Sequence, residues 1–97
     1  MAIFQPHLPS RIRDFLAAFA DALSEADAVY LTDIYLAREP EQPGLIEALA
    51  ERAGATLVKD RHALPATLRR ELKPGDVALF MGAGNIREQA EALLRGL

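Results

Sequence analysis

The chain has 97 residues, of which 51% are hydrophobic and 26% charged, a balance typical of one small folded domain and not of a disordered segment. Its 11 basic and 14 acidic residues are mixed along the sequence and give a net charge of -3, which argues against a nucleic-acid-binding stripe. Because cysteine is absent, disulfides, a thiol nucleophile and Cys-type zinc sites are excluded.

The first half of the sequence predicts a strand, a helix and a second strand. Residues 3–5 are predicted to form a short first strand. Apolar residues then recur at helical spacing behind Ser10, a residue type that caps helix N-termini, and predict one helix over residues 11–24. The segment 28–34 is mostly apolar and rich in β-forming residues, which predicts a strand covered on both faces.

The second half continues this alternation of strands and helices. An apolar helical stripe over residues 45–53 is followed by Gly54, which can terminate a helix. Residues 56–58 predict a third strand, residues 64–72 a helix, and residues 76–81 a fourth strand that leads through a glycine-rich turn into a closing helix. We therefore predict an α/β, Rossmann-like fold with about four parallel strands, joined by right-handed crossovers.

Polar residues and glycines follow the predicted strands, which is where ligands bind in parallel α/β sheets. We expect all of them to lie along one edge of the sheet. Several carry groups that hold anions or amines. In chain order these candidates are His7, Ser10, Arg11, Asp33, Tyr35, Arg38, Glu39, Gly82 and Gly84.

Simpler structural explanations compete with a functional one at most of these positions. Ser10 is explained by its N-cap role, the charges in residues 33–39 by ion pairs within a loop, and the two glycines by a tight turn. A cation in the first turn of a helix opposes the helix dipole, so Arg11 is better explained by pairing with a carboxylate or phosphate. Residues 60–62 are assigned to the surface. No metal site is predicted, because His7 and His62 are far apart in the sequence and show no metal-ligand spacing.

Three motifs resemble the C-terminal domain of Mur ligases, in particular of the UDP-N-acetylmuramate:L-alanine ligases. Phe4-Gln5-Pro6-His7 followed by Ser10-Arg11 resembles their "FQPH…[ST]R" signature. Residues 32–39 resemble the "D-[IV]-Y-x-A-[RG]-E" segment, and residues 74–76 with 81–86 resemble "PGD…xGAG[DNS][IV]". The motifs come in family order and span nearly the whole chain. Leu8-Pro9 and Asn85 depart from the residues that are common in the family.

The resemblance implies a role in peptidoglycan precursor synthesis. Family members use ATP and Mg²⁺ to activate the carboxylate of UDP-N-acetylmuramate, which the amine of L-alanine then attacks. By this resemblance we expect Arg11 to bind the carboxylate of L-alanine and His7 to lie between the amine and the acyl phosphate. Ser10, Asp33 and Tyr35 are the remaining candidates for substrate binding.

The resemblance also implies that residues 1–97 are most of one domain of a ligase, without its first segment, its central domain and its N-terminal domain. No "GKT" phosphate-binding loop is present, so we expect this chain to be inactive alone and to hold neither ATP nor Mg²⁺. Two alternatives stay open: a stand-alone α/β ligand-binding or interaction module without catalytic activity, and the same domain of a related muropeptide ligase.

The partners that we expect are L-alanine, UDP-N-acetylmuramate and ATP, all met within the intact ligase. No nucleic-acid partner is expected, because the basic residues form no stripe. No membrane partner is expected, because no apolar run approaches the roughly 20 residues of a membrane span and the N-terminus has no signal-peptide pattern. We therefore expect a cytoplasmic location. We also expect self-association, because a missing upstream helix would leave apolar surface uncovered.

Overall fold

A computed structural model describes residues 1–82 and 84–96. It has one sheet of four parallel strands in the order β3-β2-β1-β4, with helices between the strands, which confirms the predicted Rossmann-like α/β fold. None of the helices in this part of the chain is both long and apolar enough for a membrane span. In chain order the elements are β1 (Ala2–Phe4), α1 (Pro9–Asp14), α2 (Leu16–Leu23), β2 (Val29–Leu31), α3 (Leu45–Ala53), β3 (Thr56–Leu57), a 3₁₀ turn (Arg61–Ala63), α4 (Leu64–Glu71), β4 (Leu79–Met81) and α5 (Arg87–Arg95).

The helices cover both faces of the sheet. Successive residues of a strand point to opposite faces, and β2 illustrates this, since Leu31 packs with α1, α2 and α3 while Tyr30 packs with α4 and α5. The first core contains Ile12 and Leu49, both fully buried, and the second contains Ile3 from β1. Burial on both faces explains why the strands are apolar runs and not alternating sequences.

The first predicted helix is wrong in its start and in its continuity. The helix begins at Pro9, with Leu8 at the N-cap, so Ser10 lies inside the first turn and is not the cap. Proline suits this position because its φ is already helical and its missing N–H would have had no partner there. At Phe15 the backbone leaves helical geometry, with φ -120° and ψ 27°, and separates α1 from α2. Past the break, Phe19 stacks on Phe4 at 5.8 Å between ring centroids.

The other elements agree with the prediction in order and differ in length. Helix α3 covers the predicted residues 45–53, and Gly54 ends it in the left-handed region at φ 68°. Strand β1 has the predicted three residues but begins one residue earlier, whereas β2, β3 and β4 are shorter than predicted, with three, two and three residues. Val77, which was predicted in the fourth strand, lies before β4 and is 74% exposed.

Helix α2 presents an apolar surface to solvent. We call this the α2 surface; it is formed by Ala18, Phe19 and Ala22 of α2, together with Arg11 of α1 and Phe15 at the break between the two helices. Phe15 is 58% exposed, which is unusual for a large aromatic side chain. Contiguous exposed apolar surface of this kind tends to find partners.

We predict that the chain self-associates weakly through the α2 surface. Its weight-average mass, measured by sedimentation or light scattering, should rise with concentration. Phe15→Ser should suppress this rise, because it removes the most exposed ring of the surface. Leu94→Ser is the matched control, since Leu94 is also strongly exposed but lies on α5, across the sheet. A strictly monomeric chain at all concentrations would contradict the prediction.

Candidate functional site

An open cleft of about 600 Å³ lies at the carboxyl ends of the strands. Its lining comes from the segments that follow β1, β2, β3 and β4, so four separate parts of the sequence meet there. This is the edge at which parallel α/β sheets bind ligands. The lining residues are Gln5, Asp33, Ile34, Tyr35, Leu36, Ala37, Arg38, Arg61 and Asn85.

Gln5 joins the carboxyl end of β1 to that of its neighbour β4. Its side chain is buried, with the residue only 1% exposed. Its Nε2 donates to Asn85 Oδ1 at 2.8 Å, and its Oε1 accepts from the Asn85 backbone N–H at 3.0 Å. Both ends of the buried amide are thereby satisfied, and the turn after β4 is held against the end of β1. Gln5 was not among the predicted site residues.

Tyr35 lines the cleft, and His7 lies next to Tyr35. The two residues make a parallel β-bridge, in which the Tyr35 N–H donates to the Pro6 carbonyl at 2.8 Å and the Leu8 N–H donates to the Tyr35 carbonyl at 3.0 Å. Their rings stack at 5.7 Å between centroids, with planes 18° apart. The ring of His7 is therefore held in a defined orientation by backbone pairing and by stacking.

Gly84 lies directly against the Tyr35 ring. A Cβ atom at position 84 would be 2.7 Å from Tyr35 Cδ2 and 2.8 Å from Gln5 Oε1. A Cβ at Gly82 would be 3.0 Å from the Gln5 carbonyl oxygen. These glycines are thus required by the close approach of neighbouring groups, which supports the structural explanation of the turn over a phosphate-binding one.

Ser10 and Glu39 join the start of α1 to the loop that follows β2. The Ser10 N–H donates to Glu39 Oε1 at 2.8 Å, and the Ser10 hydroxyl donates to Glu39 Oε2 at 2.7 Å. These two hydrogen bonds, with smaller contributions from the charges of Arg13 and Arg11, lower the pKa of Glu39 below its ordinary value of 4.5. The carboxylate therefore satisfies the N–H of Ser10, one of the first-turn N–H groups that have no partner within the helix.

The Ser10–Glu39 contact directly follows a strained part of the loop. Ala37 and Arg38 have φ values of 49° and 76°, in the left-handed region that residues with a side chain rarely adopt. Two such residues in succession persist only where the surrounding structure holds them in place. The next residue, Glu39, is held by its two hydrogen bonds from Ser10. Strained backbone of this kind is concentrated at ligand-binding sites.

Asp33 and Arg61 lie next to each other in the lining of the cleft. Arg61 Nη1 lies 3.9 Å from Asp33 Oδ2, and the side chains of Arg61 and Asp33 are 24% and 46% exposed, respectively. Asp33 Oδ1 and Arg61 Nε are buried and have no hydrogen-bond partner among residues 1–82 and 84–96. Of residues 60–62, which were assigned to the surface, Asp60 and His62 are exposed, whereas Arg61 is partly exposed and lines the cleft.

The structure gathers some of the predicted site residues and sets others apart. Asp33 and Tyr35 line the cleft, and His7 stacks on Tyr35. The hydroxyl of Ser10 is bonded to Glu39, and Arg11 is an exposed residue of the α2 surface. The binding roles given to these side chains remain predictions.

The described residues do not fit ATP with Mg²⁺. Within residues 1–82 and 84–96, no three His, Asp or Glu side chains come close enough to hold a metal ion. The sequence has no lysine or threonine after Gly82-Ala83-Gly84, and the groups that cradle the phosphates in a phosphate-binding loop are therefore lacking.

Comparisons with known proteins give one consistent family. The profile of the Mur ligase glutamate ligase domain matches residues 1–84. The chain is 42% identical over 92 residues to the UDP-N-acetylmuramate--L-alanine ligase of Cutibacterium acnes, covering 89% of this chain and 20% of the relative. It is 44% identical over 101 residues to that of Geobacter sulfurreducens, covering 97% of this chain and 22% of the relative. The chain thus spans about a fifth of the length of the curated relatives that it matches.

We predict that Gly84→Ala destabilises the domain by about 1 to 3 kcal/mol, because the new methyl group overlaps the Tyr35 ring. Urea unfolding followed by circular dichroism measures this loss. Tyr35→Ala removes the ring, so Gly84→Ala should cost less in that background, where only the close contact with Gln5 Oε1 at 2.8 Å remains. If Gly84→Ala lowers the free energy of unfolding equally with and without the Tyr35 ring, the ring is not the reason for glycine at position 84.

A second prediction concerns acid stability. The folded-state pKa of Glu39 is lowered, so the stabilisation from its ionised form is present above about pH 4.5 and is lost as the pH falls through the folded value. Glu39→Gln should lower the thermal unfolding midpoint at pH 7. Below pH 4.5 the midpoint of this variant should change less with pH than that of the unmodified chain. Glu41→Gln is the control, since Glu41 makes no hydrogen bond or ion pair with the described residues. An unchanged acid profile in Glu39→Gln would contradict this account.

Proposed function

This chain belongs to the Mur ligase family, and on that premise we propose that it positions the amino acid when L-alanine is joined to UDP-N-acetylmuramate. One observation carries the proposal. His7, Tyr35 and Asp33 meet at the carboxyl edge of the sheet in a chain that is 40 to 44% identical to ligases named for this substrate pair. In the intact ligase, ATP and Mg²⁺ would supply the activated carboxylate from outside these residues.

The side chains at this edge suit the recognition of a small amino acid. The Asp33 carboxylate attracts an ammonium group, and the His7 imidazole can exchange a proton with an amine or stabilise negative charge that develops next to it. Arg11, one turn away along α1, offers a planar fork for a carboxylate once the site is closed by the other parts of a ligase.

Such a domain would work chiefly by orientation. Joining two bound molecules requires the attacking amine to be held near the acyl carbon, and correct placement can supply much of the rate. The stacked ring of His7 and the fixed backbone of the Tyr35 bridge give the rigidity that placement needs. A closing motion of the domain would complete the site and exclude water.

The proposal is tested by domain replacement. The last fifth of the Geobacter sulfurreducens relative is replaced by this chain, and L-alanine-dependent release of ADP is measured with UDP-N-acetylmuramate present. We expect turnover by the chimera and none above background by this chain alone or by the relative without its last fifth. An inactive chimera that is folded would favour a non-catalytic binding module, and activity only with a peptide in place of L-alanine would favour a related muropeptide ligase.

We predict that Arg11→Gln in the chimera raises the KM for L-alanine about tenfold or more, because a charge-assisted hydrogen bond to the substrate carboxylate is lost. The KM for ATP should change little. Arg70→Gln is the matched control, since Arg70 is exposed on α4 and does not line the cleft. Unchanged L-alanine kinetics in Arg11→Gln would remove Arg11 from the proposed site.

A further inference from the structure

Two oppositely charged side chains stand together at the ends of neighbouring strands. Asp33 follows β2 and Arg61 follows β3, which pair in the sheet, and both line the cleft. The position of Arg61 is fixed by its local backbone, because it starts a 3₁₀ turn that Asp60 caps by accepting the His62 N–H at 3.0 Å. The pair is therefore part of the cleft wall.

The two charges only partly satisfy each other. A separation of 3.9 Å between Nη1 and Oδ2 is too long for a hydrogen bond. Asp33 Oδ1 and Arg61 Nε are both shielded from solvent and lack partners among the described residues. Buried polar atoms without partners are uncommon and unfavourable, and more so for charged groups, so the arrangement calls for a physical reason.

The exposed parts of the two side chains select a ligand that carries both charges. A simple anion that approaches Arg61 is repelled by Asp33, and a simple cation that approaches Asp33 is repelled by Arg61. A molecule with a carboxylate and an ammonium group on one carbon can align antiparallel to the pair and meet both. Arg38, which also lines the cleft, adds a second positive charge for the carboxylate end.

We infer that Arg61 is a further amino-acid-positioning residue, which with Asp33 binds the zwitterion of an α-amino acid. The inference rests on the proposed function, and it assigns the first contact of the substrate to a residue that none of the family motifs contains. In this scheme Arg61 and Asp33 hold the amino acid in the free chain, and Arg11 reaches its carboxylate only when the ligase closes.

The test is a titration of the 97-residue chain by two-dimensional NMR. L-alanine is compared, at equal ionic strength, with N-acetyl-L-alanine, which lacks the ammonium group, and with L-alaninamide, which lacks the carboxylate. We expect L-alanine to shift the amides of residues 33–38 and 61 with a Kd on the order of 1 mM, and each blocked analogue to bind at least about tenfold more weakly.

Variants assign the contact to individual side chains. Arg61→Gln and Asp33→Asn should each weaken L-alanine binding about tenfold, Arg61→Lys should restore part of it, and the exposed Arg70→Gln should leave it unchanged. The amide spectrum of each variant reports whether the fold is retained. Equal binding by Arg61→Gln and the unmodified chain, equal binding of N-acetyl-L-alanine, or no shifts up to about 100 mM L-alanine would each overturn the inference.

The chimera separates this inference from the proposed function. An inactive chimera, together with Arg61-dependent binding of L-alanine by the chain, would remove the ligase role and keep the zwitterion site. An active chimera in which Arg61→Gln leaves the KM for L-alanine unchanged would remove the site and keep the ligase role. The inference requires a raised KM with a smaller change in kcat.

Discussion

The two hydrogen bonds between Gln5 and Asn85 hold the carboxyl edge of this domain together. A buried amide needs hydrogen-bond partners, and the Gln5 amide bonds to the side chain and the backbone N–H of Asn85, which follows β4. The bond fixes the turn in which Gly84 lies, Gly84 lies against the ring of Tyr35, and that ring stacks on His7. These two hydrogen bonds thus align the ends of β1 and β4 with the Tyr35 ring that lines the cleft.

Local sequence was sufficient for most of the fold. Helix α3 was predicted to the residue because its apolar stripe, the prolines before it and Gly54 after it all act within a few residues. The break at Phe15 could not be predicted, since no glycine or proline marks it and the periodicity continues across it. Such a break depends on how each half of the segment packs on the sheet, which is a tertiary property.

The site was predictable where topology alone decides position. Residues that follow parallel strands must meet at one edge, and Asp33 and Tyr35 do so on the cleft, with His7 bridged to Tyr35. Contacts between side chains that are far apart in sequence were missed. At the start of α1, Glu39 accepts hydrogen bonds from Ser10, which is 29 residues away and was expected to be the cap itself. Arg61 pairs with Asp33 although the residues next to Arg61 in the sequence are exposed. Arg61 also follows a strand, so the rule that found Asp33 applied to it equally.

The dependence of α1 on Glu39 has a consequence for how this region opens. A helix of six residues cannot persist by its own backbone hydrogen bonds, and the partner that completes its first turn lies in the strained loop after β2. Helix and loop should therefore open and close as one cooperative unit, below the energy of global unfolding, with matching amide exchange protection. The segment that bears Arg11 would then respond, through shared local unfolding, to any ligand that orders the loop around Tyr35, without a change in the rest of the sheet.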